Sequence, residues 1–150
     1  MKKVSTQPAF RKLRIVSYRG GLVSLPPLDE EVSQSLTIHR DGRVWFSGYT
    51  YAENYLTYNR CRSSQSKVQQ EKLDELFRCF ERFFTAEYTD SNVLDAGLWE
   101  LAVLDASGET KLYKGSLCDA LEVGGVNLSA LVREVLDRDD LWVFDGAGTQ

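Results

Sequence analysis

The sequence predicts an α+β fold, a two-layer sandwich in which a mainly antiparallel sheet packs against two amphipathic helices. Two segments rich in β-branched and aromatic residues each fold back at a glycine-containing turn, and two other segments carry apolar residues at helical spacing. The 150 residues, 43% of them hydrophobic, are enough to bury one core without a disulfide or a metal. The predicted order is strand, hairpin, helix, hairpin, helix and short strand.

The first predicted element is a strand over residues 13–18, which is followed by a long loop with paired glycines and paired prolines between residues 20 and 27. The segment before it is polar and lacks periodicity. We therefore predict that residues 1–10 are a disordered terminus and that residues 11–150 form a single domain.

The segment Leu36–Tyr51 is predicted to be a β-hairpin, because an Asp-Gly pair ending at Gly42 lies between two strand-like runs. A two-residue turn would pair Ile38 with Trp45 and mix apolar and polar side chains on each face. A three-residue loop with Gly42 in the left-handed conformation instead pairs Ile38 with Val44. That register gives one apolar face and leaves the opposite face to Thr37, His39, Arg43, Trp45, Tyr49 and Tyr51.

Residues 52–65 are polar and are predicted to be a connector. Ser66 and Gln69 have the spacing of a capping box, so a helix is expected to begin there. Its apolar residues fall within an arc of roughly 120°, which predicts a helix with one buried face. These residues are Leu73, Leu76, Phe77, Phe80, Phe83 and Phe84.

A second hairpin is predicted from Trp99–Asp105 and Thr110–Lys114, joined by a turn at residues 106–109. The continuous apolar run of its first strand indicates an interior strand with cover on both faces.

Asn127 is predicted to cap a second helix that ends at residues 137–140, and Leu141–Phe144 are predicted to form a closing strand. The apolar face of this helix would consist of Leu128, Leu131, Val132, Val135 and Leu136.

The net charge of −4 is unevenly distributed along the chain. Residues 1–62 hold ten Lys or Arg against five Asp or Glu, whereas residues 63–150 hold eight against seventeen. Either the two halves neutralise each other when they pack, or the first half presents a face that attracts anions.

The longest apolar runs are four residues, far short of the ~20 that span a bilayer or the ~7 to 15 of a signal peptide. Cys61, Cys79 and Cys118 are odd in number and lack metal-binding spacing, which is typical of reduced thiols. We therefore expect a cytoplasmic protein of bacterial type with no membrane partner.

Several chemistries lack their usual signatures. His39 is the single histidine, and Asp137, Asp139 and Asp140 lack the order of a calcium loop, so no metal is expected. Phosphate-binding glycine loops and nucleophile elbows are absent, and neither a cofactor nor a catalytic residue is predicted. A small-ligand-binding domain, or an enzyme using a cysteine or a carboxylate pair, stays open as an alternative.

One group of residues stands out as a candidate binding site, on and after the first hairpin. Aromatic rings and arginines are enriched in protein interfaces, and they also stack on bases and neutralise phosphates. We therefore expect a non-enzymatic protein that binds a protein partner or forms a homodimer; single-stranded nucleic acid is the alternative. A third possibility is that the chain itself covers these rings. The candidate residues are His39, Arg40, Arg43, Trp45, Tyr49, Tyr51, Arg60 and Arg62.

A motif follows the first helix: Asp95-x-Gly97-x-Trp99-Glu100-Leu101, then Gly108, then Tyr113-x-Gly115-Ser116. Over roughly residues 36 to 144 the chain resembles a family of small α+β domains from uncharacterised bacterial proteins. That family has no established activity, so the resemblance implies the fold and no catalytic residue.

Three expectations concern the residues of this motif. Trp99 and Leu101 are predicted to belong to the core, and Gly115 to permit a turn or bulge. Glu100 is predicted to lie across the hairpin from Lys114.

Overall fold

The computed structural model describes residues 8–19, 26–90 and 97–147, and its fold confirms the predicted α+β sandwich. A six-stranded sheet, a two-stranded ribbon and two helices make up this part of the chain. The elements are β1 Phe10–Tyr18, β2 Glu31–His39, β3 Arg43–Tyr51, β4 Tyr58–Lys67, α1 Gln70–Phe83, β5 Leu98–Asp105, β6 Thr110–Ser116, β7 Glu122–Val123, β8 Val126–Asn127 and α2 Leu128–Leu136.

The large sheet has the strand order β4-β3-β2-β1-β5-β6, and every neighbouring pair is antiparallel. Because residues opposite each other on paired strands share a face, the register divides the sheet into two sides. The inner face packs against the helices and forms the core with them. We call the opposite side the outer face.

The first hairpin has the predicted register. Ile38 lies opposite Val44, and Leu36 lies opposite Phe46. Gly42 has a φ of +105°, and its N–H donates a hydrogen bond to the carbonyl of His39 at 3.0 Å. A Cβ at Gly42 would also come within 2.9 Å of the Val68 carbonyl oxygen, so the turn requires glycine for two reasons.

Helix α1 has the predicted buried face, but its start differs from the prediction. Ser66 lies in β4, and Gln69 precedes the helix without a side-chain capping bond, so the capping box is wrong. The predicted connector over 52–65 is also wrong from Tyr58 onward, where β4 begins. Nearly every side chain of β4 is exposed, and the strand therefore has no apolar alternation that could have indicated it.

The second hairpin and the interior position of β5 are confirmed, but the predicted cover on both faces is wrong. Leu101 and Val103 are fully buried on the inner face. Ala102 and Leu104 belong to the outer face and are only partly buried, because neither helix packs on that side.

Helix α2 begins as predicted, since the Asn127 side chain accepts a hydrogen bond from the backbone N–H of Ala130 at 2.9 Å. All five predicted apolar residues of the helix are buried.

The segment 141–144 is not a strand, so the predicted closing strand is wrong. It is a buried turn against the inner face, and Val143 has a φ of +48°. The N–H of Trp142 donates to Gln34 Oε1 at 2.9 Å, and the Ser17 hydroxyl donates to the Val143 carbonyl at 2.9 Å. These side-chain bonds replace the ladder that a strand would have made.

The motif residues after α1 have structural roles. Trp99 and Leu101 are fully buried, and Glu100 lies opposite Lys114, as predicted. Gly115 lies inside β6 instead of forming a turn or bulge. A Cβ there would lie 2.3 Å from the Trp99 ring, so close packing of the indole explains the glycine.

The first strand begins at Phe10, one residue before the predicted start of the domain. Phe10 is buried in β1, and its N–H donates to Glu81 Oε2 at 2.7 Å.

The predictions for residues 1–7, for the glycine pair at 20–21 and for Asp95 lie outside the described residues. Neither helix within the described ranges is long and apolar enough to cross a membrane.

Candidate functional site

The outer face of the sheet leaves large side chains exposed. Trp45 is 50% exposed near one side of the sheet, and Leu98 and Leu112 are 42% and 69% exposed near the other. These residues lie on β3, β5 and β6, whose alternate side chains form the core. A wide, partly apolar surface of this kind is typical of an interaction site.

The outer face is also strongly basic. On the described strands, the register gives this face one carboxylate, Glu100, and six basic side chains. The basic residues are Lys12, Arg14, Arg43, Arg60, Lys67 and Lys114. The positive charge is therefore concentrated here, although the whole chain has a net charge of −4.

The basic residues are densest at the end of the face near Gly42. Lys67 lies opposite Arg43, and Lys12 lies opposite His39, so a basic row crosses four strands. A depression of about 450 Å³ opens beside this row. Its lining consists of Arg11, Lys12, His39, Arg40, Asp41, Arg43 and Leu104.

His39 is uncharged at neutral pH in this surrounding. Burial lowers the pKa of its imidazole, the positive charges of Arg43 and Lys12 lower it further, and Asp41 only partly opposes them. The His39 ring lies 6.4 Å from the Trp45 ring, centroid to centroid. An uncharged imidazole therefore extends the exposed aromatic surface of Trp45.

Trp45 lies next to the basic row. Thr37 is opposite it on β2, Gln65 is opposite it on β4, and Arg43 precedes it by two residues on the same face. Half of the indole is open to solvent. The ring is thus surrounded by hydrogen-bonding side chains and a cation.

The two tyrosines of the predicted site, Tyr49 and Tyr51, pack on neighbouring tyrosines instead. The rings of Tyr51 and Tyr58 are stacked at 5.2 Å, and Tyr49 meets Tyr58 edge to face at 6.5 Å. Tyr55 lies 5.5 Å from Tyr51 and donates its hydroxyl to the Pro26 carbonyl. Tyr55 of the connector and Tyr58 at the start of β4 therefore partly cover these rings, whereas Trp45 stays exposed.

Arg40 does not belong to the outer face with the others. Its guanidinium lies 2.8 Å from Glu81 and 3.6 Å from Asp74 on α1, and it stacks 4.9 Å from the centroid of Phe77. It also donates to the Phe10 carbonyl. These contacts attach the hairpin turn to the helix, and one side of Arg40 still lines the basic depression.

Arg62 points to the inner face, because Cys61 is an extra residue in β4 that shifts its register against β3. Arg62 lies 2.7 Å from both Glu31 and Asp140, and its guanidinium is 4.9 Å from the centroid of Phe46. Burial alone would raise the pKa of Glu31, but hydrogen bonds from Arg62 and Gln34 outweigh it and hold that pKa below its usual value.

Several basic residues of the outer face were not identified from the sequence as candidate binding residues. Lys67 was missed because β4 gives no strand signal, and Lys114 because a single edge residue is not distinctive. Lys12 and Arg14 alternate with Leu13 and Ile15, so the strand pattern of β1 could have indicated their direction.

The part of the chain that the structure describes offers little for cysteine or metal chemistry. All three cysteines are free thiols, and Cys79 is buried. Burial raises the pKa of the Cys61 thiol and the Glu31 charge raises it further, which disfavours the reactive thiolate. The described residues include no cluster of three or more His, Cys, Asp or Glu placed to hold a metal ion.

Comparison with known proteins adds no assignment. No protein-family model matches the chain, and no curated protein is significantly similar to it.

Proposed function

We propose that the protein is a non-enzymatic interaction domain that docks a polyanionic partner on the outer face. The observation that carries this proposal is the charge of that face, six basic side chains against one carboxylate on the described strands. A local field of this kind attracts an anionic partner whatever the net charge of the whole chain.

The same charges oppose a symmetric homodimer built on this face. A two-fold axis would bring the same patch of each copy together. The basic residues Arg43, Lys67 and Lys12 of one copy would then lie against the basic residues of the other. Like charges across an interface cost free energy unless anions separate them. A different molecule with acidic or phosphate groups is the better occupant.

We also infer that the protein works in a reducing compartment such as the bacterial cytoplasm. The support is chemical: Cys61, Cys79 and Cys118 are all free, and two of them are exposed.

The experiment uses immobilised heparin as a polyanion probe at pH 7.5. The protein is expected to be retained despite its net charge of −4, and to elute with salt. The double variant Arg43→Ala/Lys67→Ala should elute at clearly lower salt. The matched control is Lys72→Ala/Arg78→Ala, which removes the same charge from exposed positions of α1 and should elute like the native chain. Flow-through of the native protein, or equal effects of the two double variants, would contradict the proposal.

A further inference from the structure

We propose, resting on the proposed function, that the polyanion held on the outer face is a single strand of nucleic acid, with phosphates on the basic row and a base stacked on Trp45. The carrying juxtaposition is one half-exposed indole directly beside a row that crosses four strands and carries the cations Lys67, Arg43 and Lys12.

The basic row provides the phosphate contacts. Lys67, Arg43 and Lys12 lie on β4, β3 and β1, and adjacent strands are ~4.8 Å apart, so the row spans roughly 14 Å. The depression of about 450 Å³ beside it is lined by Arg11, Lys12, Arg40 and Arg43. Asp41 lies 2.9 Å from Arg43 and accepts hydrogen bonds from its Nε, so the other N–H groups of this guanidinium can still meet a phosphate. Lys12 and Lys67 form no ion pair among the described residues and complete the set of phosphate anchors.

Trp45 provides the stacking surface. Its ring is half exposed in the centre of the β2-β3-β4 region, where a base can lie on it without moving the backbone. The side chains opposite it, Thr37 and Gln65, offer hydrogen-bond donors and acceptors to a base edge or a sugar. Stacking of this type tolerates any base, because every base has a π-face.

Hydroxyl groups continue the same surface away from the basic row. Ser35 lies opposite Ser47, and Ser47 lies opposite Ser63, so three serines cross β2, β3 and β4 on the outer face. Small hydroxyl side chains leave room for a chain to lie on the sheet and donate hydrogen bonds to phosphate oxygens.

The geometry favours a single strand over the other polyanions. A duplex keeps its bases stacked inside, and its grooves are read by a protruding helix or ribbon, whereas this surface is a sheet face. An acidic peptide would meet the cations equally well but has no base to place on the indole. A single strand uses both Trp45 and the basic row along its whole length, because every nucleotide carries a base and a phosphate.

The binding experiment measures fluorescence anisotropy of a fluorescein-labelled, mixed-sequence 12-nucleotide single strand, as RNA and as DNA, with the full chain. Trp45→Ala is expected to weaken the affinity about ten-fold, and Trp45→Phe should recover most of the loss because a ring is restored. Binding should also quench the tryptophan emission of the native protein, since Trp99 and Trp142 are buried, and this quenching should be absent from Trp45→Ala.

The salt dependence tests the phosphate contacts separately. Each contact to a single strand contributes about −0.7 to the slope of log affinity against log salt concentration. Arg43→Ala/Lys67→Ala should therefore make the slope less steep by about 1.4. Lys72→Ala/Arg78→Ala, the control of equal charge, should leave the slope unchanged.

Two comparison probes separate failure of this inference from failure of the proposed function. The inference is overturned if a 12-base-pair duplex or polyglutamate binds as tightly as the single strand, or if Trp45→Ala binds the strand with native affinity. In those cases binding that still depends on Arg43 and Lys67 keeps the proposed function. If heparin, polyglutamate and both nucleic acids all fail to bind, both proposals fall.

Discussion

Trp45 and Phe80 are both large aromatic residues, but their surroundings differ completely. Phe80 is fully buried and lies 5.6 Å and 5.8 Å from the rings of Phe84 and Phe144, whereas half of Trp45 is exposed. The core therefore depends on one ring and not on the other.

We expect Phe80→Ala to lower the free energy of unfolding by roughly 3 to 5 kcal/mol, because it leaves a cavity among rings that cannot collapse freely. Trp45→Ala should lower it by less than about 1 kcal/mol, since only contacts on one side of a surface ring are lost. Urea unfolding of the two variants checks this. A loss of several kcal/mol for Trp45→Ala would mean that the indole supports the fold and would remove the reason to assign it a binding role.

The candidate site illustrates how far single residues could be placed from the sequence. The turn at Gly42 fixes the register of β2 and β3, so the outward direction of His39, Arg43, Trp45, Tyr49 and Tyr51 followed from alternation alone. Arg40 lies in the turn and Arg62 follows a one-residue bulge. Alternation does not extend through a turn or a bulge, so it could not indicate the direction of these two side chains. Residue type alone placed both arginines in the candidate site, and the fold directs their guanidinium groups away from the outer face.

At the scale of elements, β4 is the least obvious part of the sheet. It is an edge strand with almost no buried side chain, so hydrophobic burial contributes little to its position. Arg62 compensates by joining β4 to Glu31 on β2 and to Asp140 after α2. The helices and hairpins could be predicted because each buries an apolar face, which leaves a periodic pattern in the sequence. The position of β4 depends on backbone hydrogen bonds to β3 and on one ion-pair network, and neither leaves such a pattern.

We expect Arg62→Ala to destabilise the protein by about 1 to 3 kcal/mol, because it leaves the largely buried Glu31 carboxylate without its main partner. Arg60→Ala, two residues away on the exposed outer face, should change stability by no more than about 0.5 kcal/mol. Urea melts give both values, and hydrogen exchange should show faster opening of β4 amides in Arg62→Ala alone. Equal small effects would mean that the network contributes nothing to β4.

The same network predicts an acid-sensitive stability. Burial tends to raise the pKa of Asp140, but hydrogen bonds from Arg138 and Arg62 outweigh it and lower that pKa. Hydrogen bonds from Arg62 and Gln34 have the same effect on the pKa of Glu31. A carboxyl group with a lowered folded-state pKa stabilises the protein above its unfolded pKa of about 4, and this contribution disappears as the pH falls through the folded value. The urea midpoint should therefore fall between about pH 5 and pH 3, with a smaller fall in Arg62→Ala. A native-like fall in that variant would assign the acid sensitivity to other carboxyl groups.

At the scale of the whole molecule, the charge asymmetry of the sequence becomes a polarity in space. Some cations of the first half do neutralise acids of the second, as Arg62 does with Asp140 and Arg40 with Glu81. Others remain on the outer face and around the basic depression. A second depression, of about 790 Å³, lies at the start of β2 and is mainly acidic, with Asp29, Glu30, Glu31, Asp137, Asp139 and Asp140 in its lining.

The basic and acidic depressions lie near opposite ends of β2, whose nine residues span roughly 26 Å. If the basic depression of one copy binds the acidic depression of another, the two copies are joined head to tail. Such a heterologous contact can add further copies without limit, unless the rotation between neighbouring copies closes a ring. We expect sedimentation velocity at low ionic strength to show a broad, concentration-dependent distribution above the 17.0 kDa monomer, which collapses to the monomer when salt screens the contact. Arg43→Ala/Lys67→Ala should narrow the distribution, and Lys72→Ala/Arg78→Ala should not.

A discrete dimer that survives high salt would contradict this expectation, because a contact made by charge is screened by salt. Such a dimer would indicate an apolar interface. The exposed Leu98 and Leu112 of the outer face would then be the first residues to substitute.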